Sequence, residues 1–247
     1  MLANLINKKQ KNSQMKNLII ILIASTVFVS CASVSGNGNV RDEKRELTDI
    51  HSVKTSGSID VEIKSGDYSL VVENDENLIP YVITDIDNGT LNIHYKHGYS
   101  VMNDHAKVIV TAPSLDKIVT SGSGDVMSDG VIKSTNEIEI STSGSGDINA
   151  NVDAPSIKVS GSGSGDISLS GRTKDFSCKI SGSGDIKCQN LKSENVVIRV
   201  SGSSNAHVFA SVSLKVNVSG SGDVFYAGNP SSPEIHIAGS GTVQAEK

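Results

Sequence analysis

The chain has 247 residues, 37% of them hydrophobic, with no Trp, four Phe and five Tyr. That is enough to bury a core, and a core so poor in aromatics has to be built from small branched side chains. The formal net charge is −5; residues 1 to 30 contain four lysines and no acid, so without them 18 basic residues face 27 acidic ones, a charge near −9 that speaks against nucleic acid and anionic membrane surfaces as partners.

The first feature in chain order is "LIIILIASTVFVS", residues 18 to 30, an apolar run of 13 residues behind Lys16. It is too short to span a bilayer of about 30 Å. Ending on "FVSC" at Cys31, it resembles a bacterial lipoprotein signal, with Phe28 where that pattern usually has Leu. The resemblance implies that Cys31 becomes the lipidated first residue of the mature protein. Each buried CH₂ of its acyl chains adds about 0.8 kcal/mol, so two or three chains anchor firmly where one is marginal. An ordinary secretory signal with an incidental cysteine is the alternative. Met15-Lys16-Asn17 is the more typical start of such a signal, which makes residues 1 to 14 an expected upstream extension. Residues 31 to 41 read as a tether. Ala32 after the cysteine resembles the sorting pattern for outer-membrane delivery in enteric bacteria, whereas the lack of acids just after Cys31 departs from surface-export signals of Bacteroidetes lipoproteins, so the membrane face stays open.

Residues 42 to 115 alternate apolar and polar side chains between turn signals. "SGSIDVEIKSGDYSLVVEN" predicts a pair of strands around Ser65-Gly66-Asp67, and "ENLIP" one helical turn. In "YVITDIDNGTLNIHY", Asn88-Gly89 marks a hairpin. These segments are expected to form the irregular first rungs and the cap of one continuous β domain running from 42 to 247.

From residue 116 onward one motif recurs. Aligned on its acidic position, the copies place Asp125, Asp147, Asp166, Asp185, Asn205, Asp223 and Thr242 at spacings of 22, 19, 19, 20, 18 and 19. Seven residues before that position stand Ile118, Ile140, Val159, Cys178, Ile198, Val216 and Ile235; one after it stand Val126, Ile148, Ile167, Ile186, Ala206, Val224 and Val243. Apolar columns on both flanks of a Gly-Ser-Gly turn exclude a flexible linker and predict short strands that stack at about 4.8 Å. The fold class is therefore all-β: a two-sheeted, right-handed β-helix-like solenoid of about 19 to 22 residues per rung, with a glycine corner where the chain passes between sheets. "SGSIDV" at residue 56 echoes that corner. Nothing equivalent caps the last copy, "AGSGTVQAEK", so the final rung is expected to present an open edge to which a second copy can pair.

The entry "RELTDIHSVKTSGSIDVEI", the middle "DENLIPYVITDIDNGTLNIHYK", the transition "VIVTAPSLDKIVTSGSGDV" and the serial "SGSGDI" corners together resemble the auto-transporter adhesin head domain, or head GIN domain, of Bacteroidetes lipoproteins. The resemblance runs from about Val40 to the end. It implies a β-helix-like superhelix related in shape to pectin-lyase-type folds but without their catalytic residues, and an adhesive role with no defined ligand, protein or glycan. Related repeat domains look like parts of envelope-stress systems, which makes a periplasmic scaffold or sensor the alternative.

The candidate site is the corner ladder of Asp125, Asp147, Asp166, Asp185 and Asp223. Carboxylates about 4.8 Å apart repel by about 1 kcal/mol per pair in water and about 3.5 kcal/mol at an effective dielectric of 20, so something must offset them. Backbone N–H groups of each carboxylate's own glycine turn are one answer; calcium, which favours such oxygens at the corners of another repeat family, is the other. Asn205 and Thr242 at the same position favour the first, and no metal or cofactor is expected. Cys178 and Cys188 occupy inward columns on either side of one corner, where they form either a disulfide or two buried thiols. His94, His97 and His105 with Asp104 make a loose metal-like group, but positions 94 and 97 of a strand point to opposite faces. There is no hydrolase elbow, P-loop or dinucleotide fingerprint, and Arg is scarce where a polysaccharide lyase needs it. An enzyme is not expected, though a degraded carbohydrate-active β-helix is the remaining catalytic reading.

Overall fold

The structure, a computed structural model, describes residues 32 to 246; the apolar run expected to be a signal and Cys31 lie outside the described residues. The N-terminal part contributes β1 (Ala32–Ser35), β2 (Val40–Arg45), β3 (Ser52–Gly57), β4 (Asp60–Ser65), β5 (Ser69–Asp75), β6 (Val82–Asp87), β7 (Thr90–Tyr95), β8 (Tyr99–Met102) and β9 (Lys107–Ala112). The repeats follow as β10 (Lys117–Gly122), β11 (Val126–Lys133), β12 (Glu137–Gly144), β13 (Ile148–Gly163), β14 (Ile167–Gly182), β15 (Ile186–Gly202), β16 (Ala206–Gly220), β17 (Val224–Ala227), β18 (Glu234–Gly239) and β19 (Val243–Ala245). The result is a β-solenoid. Strands β13 to β16 pass through the second bend of each rung unbroken, so both faces belong to one curled sheet of 17 strands. For example, the first half of β13 pairs with β11 and its second half with β12, all in parallel.

The apolar columns keep the register that the repeat spacing dictates. Ile118, Ile140, Val159, Cys178, Ile198, Val216 and Ile235 are successive ladder partners before the corner. After it, Val126, Ile148, Ile167, Ile186, Ala206, Val224 and Val243 do the same. All but the last members are buried, so the core is a stack of Ile and Val with one large insert, Phe176. Ile235 and Ile237 show the reason for the exception: among the described residues no rung lies above them, and they are 38% and 45% exposed.

The cap departs from chain order. β3 and β4 form a rung on which both β10 and β11 stack, but β7 and β9 stack on its other side, although they come later in the chain than β3 and β4. β5 and β2 then add antiparallel strands beyond β9, and β6 adds one beyond β7. The Asn88-Gly89 hairpin is present, with both residues at positive φ (48° and 71°), as a two-residue turn of the primed class requires. Residues Ile79–Tyr81 form the single helical turn, a 3-10 turn. The expected pairing across Ser65-Gly66-Asp67 does not form. β9 lies between β4 and β5, pairing parallel to the one and antiparallel to the other; any alternating strand offers the same edge, so the local pattern cannot choose the partner. Nor is the tether segment free, since β1 pairs in parallel with β8 and β2 antiparallel with β5.

The corner explains the glycines. Gly163 has φ +125°, and a Cβ on it would lie 2.1 Å from the carbonyl oxygen of Gly144 in the preceding rung. Gly165 lacks the unusual φ but not the crowding, because its Cβ would meet the Gly146 carbonyl oxygen at 2.1 Å. A side chain at these points is housed only if the rungs move apart, which weakens the ladder on both sides. Gly163→Ala is expected to cost roughly 4 kcal/mol in chemical denaturation, in the range reserved for broken networks and strained backbone. Gly98→Ala, at φ +87° with nothing within 4 Å, carries only the conformational penalty of about 1 kcal/mol. Equal losses at the two sites would contradict the close approach.

Candidate functional site

Five of the seven repeat corners, at Asp125, Asp147, Asp166, Asp185 and Asp223, present an exposed or half-buried carboxylate immediately after the second glycine, and the structure strings the whole column into a chain. The backbone N–H of Asp125 donates to Oδ1 of Asp60 at 2.9 Å; Asp147 donates to Asp125, Asp166 to Asp147 and Asp185 to Asp166, each at 2.8 Å. Asn205 donates to Asp185 at 3.0 Å, Asp223 to Asn205 at 3.1 Å and Thr242 to Asp223 at 2.7 Å. The donor therefore comes from the next rung, not from the carboxylate's own glycine turn as the sequence suggested. In return the carbonyl of each ladder residue accepts from the preceding rung, as when Ile148 N–H donates to Asp166 O at 2.9 Å. The substitutions in the column now make sense. Asn205 keeps an Oδ1 acceptor, and among the described residues no amide lies above Thr242 to be received.

Asp60 is a member that alignment of the later repeats passes over. The signal was present in "SGSIDV", whose Gly57 takes the corner conformation and lies under Gly122. At the other departure, Ser204 replaces a corner glycine: it is fully buried and its hydroxyl has no hydrogen-bond partner. The rungs part slightly there, with the projected Cβ of Gly202 at 2.5 Å from Gly182 O instead of 2.1 Å.

Each carboxylate thus has one oxygen committed to an amide, and Asp166 also pairs through Oδ2 with Lys187 at 2.6 Å. Burial is the strongest single influence on Asp166 and acts to raise its pKa, but Lys187 and the Asp185 amide together hold it below the usual carboxylate value. Each of these amides places positive partial charge against a carboxylate of the column; among the described residues no group of three or more His, Cys, Asp or Glu is arranged to hold a metal.

The other candidates separate. Cys178 and Cys188 are free thiols, both buried, not a disulfide. Burial pushes the Cys178 thiol well above its ordinary pKa and that of Cys188 up to about 12, which disfavours the thiolate that a nucleophile needs. The rings of His94 and His97 do meet, with centroids 5.2 Å apart, because the Gly98 turn folds His97 back. Asp104 and His105 turn elsewhere. Asp104 accepts a hydrogen bond from Tyr95, whose hydroxyl pKa is pushed up by burial and by that carboxylate. His105 pairs at 2.9 Å with Asp75, whose side chain is wholly buried; the pairing raises the His105 pKa and lowers that of Asp75.

The outer face of the post-corner strands carries what the composition hid. Among the described residues Phe occurs three times: Phe176 is in the core, but Phe209 and Phe225 are half-exposed on adjacent strands. His207 stacks on Phe225 at 4.7 Å and 15°, and Lys192 Nζ lies 4.0 Å from the Phe209 ring centroid. Beside them a cleft of about 440 Å³ is lined by Asp153, Arg172, Lys174, Lys192, Glu194 and Phe209, among others.

The ladder assigns roles that substitution can separate. Asp147→Asn retains Oδ1 and is expected to leave the denaturation midpoint within error at pH 7, whereas Asp147→Ala strands the Asp166 amide and costs about 1 kcal/mol. Equal losses in Asn and Ala would mean that charge, not the acceptor, is what the column needs.

The sequence matches the family described as "Putative auto-transporter adhesin, head GIN domain" over residues 49–230. A "putative adhesin" of Bacteroides fragilis shares the fold with a TM-score of 0.82 at 20% identity, over 86% of this chain and 100% of its own. A "putative lipid binding protein" of Parabacteroides distasonis matches at 28% identity and TM-score 0.69, over 87% and 100%. A "putative adhesin" of Parabacteroides merdae matches at 24% identity and TM-score 0.69, also over 87% and 100%. No curated protein matches the sequence. The family match covers well over half of the chain, and the solved relatives have the same coiled-sheet architecture: the protein belongs to the auto-transporter adhesin head GIN domain family.

Proposed function

We propose that the protein is a non-catalytic, lipid-anchored module of the bacterial cell envelope, held at the outer membrane through Cys31, whose rigid coil presents a binding surface for adhesion. The observation that carries this reading is the division of labour among its polar groups. The repeated carboxylates, which alone have the numbers for catalysis or metal binding, are committed to rung-to-rung hydrogen bonds. The aromatic and cationic side chains instead gather on the outer face, at Lys192, His207, Phe209 and Phe225. Exposed aromatics beside cations are the usual anchors of a binding surface. Family membership supports the same role.

A second copy is the partner suited to the other end. Among the described residues no strand lies beyond β18 and β19, and Ile235 and Ile237 are exposed beside that edge. An uncovered edge with apolar side chains is a template for pairing.

Two measurements bear on this. Protease treatment of intact cells is expected to degrade the protein while periplasmic markers survive; complete protection would favour a periplasmic scaffold or sensor in envelope homeostasis. In sedimentation, the chain from residue 32 onward is expected to dimerise reversibly, and Ile237→Lys to leave a monomer. A wild-type chain that is monomeric at high concentration would eliminate self-pairing at that edge.

A further inference from the structure

Resting on the anchor reading, a second question has a structural answer: which end of the coil faces the membrane. Cys31 directly precedes Ala32, and consecutive Cα atoms are about 3.8 Å apart. Ala32 is not on a free tether. It opens β1, which pairs along its whole length with β8, and its N–H donates to Gly98 O at 3.2 Å. The segment after β1 is held just as closely. Gly36 N–H donates to Met102 O at 3.0 Å, the Asn77 side-chain amide donates to Ser35 O at 2.9 Å, and Gly38 N–H donates to the buried carboxylate of Asp75. Gly36 also sits where a Cβ would lie 2.3 Å from Asn103 O, so the strap fits its bed without slack.

That bed belongs to the cap end. Tyr99 in β8 packs edge-on at 4.8 Å against Tyr81, which leads into β6, the outermost strand on that face. From β6 the ladder runs through β7, β3, β10, β12, β13, β14, β15 and β16 to β18. Those nine strand spacings, at about 4.8 Å each, put the open rung roughly 43 Å from the cap.

We infer that the cap is the membrane-facing end, with β1, β8 and the turn between β7 and β8 seated on the bilayer surface and the open last rung directed away from it. The side chains around Ala32 suit such a seat. Tyr81 and Tyr99 are amphipathic rings of the kind that settle at headgroup level, Lys96 lies 5.7 Å from the Tyr99 ring centroid with its ammonium free to reach phosphate, and Met102 is 50% exposed. A lipid at Cys31 leaves these groups nowhere else to go, because the strap has no length with which to hold them off.

The test uses the full lipidated protein reconstituted into phosphatidylethanolamine–phosphatidylglycerol vesicles, with an environment-sensitive fluorophore on Ser100→Cys or on Ser240→Cys; the buried Cys178 and Cys188 stay unlabelled. Spin-labelled lipids are expected to quench the Ser100 label several-fold more than the Ser240 label. Protein that floats with the vesicles while the Ser100 label stays unquenched overturns the seating alone. Equal quenching at both sites, as for a rod lying flat, overturns it too. A Cys31→Ser protein that still floats, or a wild-type protein that does not, overturns the anchor reading and the seating with it.

Discussion

Everything in this molecule depends on how closely one glycine corner can lie on the next. At the corners the preceding rung's carbonyl oxygen occupies the space that a Cβ would need, as at Gly163 and Gly165. Only that approach lets the Ser and Gly amides of one corner reach the carbonyl below, as Ser164 N–H reaches Gly144 O at 2.9 Å. With the corners in contact, the strands on both sides fall into a shared register, and their inward Ile and Val side chains meet rung over rung. No single rung has a core of its own. Stability belongs to the stack, in the manner of repeat proteins generally.

The aspartate ladder is the polar counterpart of those columns. A carboxylate at the corner satisfies the amide of the rung above, and the carbonyl beside it satisfies the rung below, so the bend loses no backbone hydrogen bond. This accounts for a row of like charges on one edge without a metal: each side chain is needed as an acceptor, and its charge is tolerated at a solvated corner. Asn205 shows that the acceptor suffices, and Ser204 shows that a small departure from glycine is absorbed by a slight opening of the stack with one unsatisfied hydroxyl.

Much of this was legible in the sequence because a repeat writes the same physical requirement many times over. The columns through Ile140 and Ile148, the corner glycines and the Asn88-Gly89 turn follow from spacing and local conformation alone. What the sequence left obscure is pairing between segments that are alike in pattern. Nothing local distinguishes β5 from β9 as the neighbour of β4, and nothing in "SGSGDI" says whether Asp receives an amide from its own turn or from the next. Asp60 was hidden by the long excursion between its rung and the repeat that stacks on it. The buried Asp75 and the outward pair Phe209 and Phe225 have no signature, since their significance lies in neighbours contributed by distant rungs. The two ends differ for a related reason: antiparallel strands β2, β5 and β6 close one, while at the other the last described strands, β18 and β19, continue the parallel repeat.

The ladder is where the account is most exposed. Amide hydrogen exchange read residue by residue at Asp147, Asp166 and Asp185 tests it directly, since these N–H groups lie at solvated corners and have no reason to be protected except the carboxylate of the preceding rung. The account predicts exchange as slow as that of the neighbouring core amides Ile148, Ile167 and Ile186. Exchange at the rate of an open loop, with the core amides still protected, would contradict it.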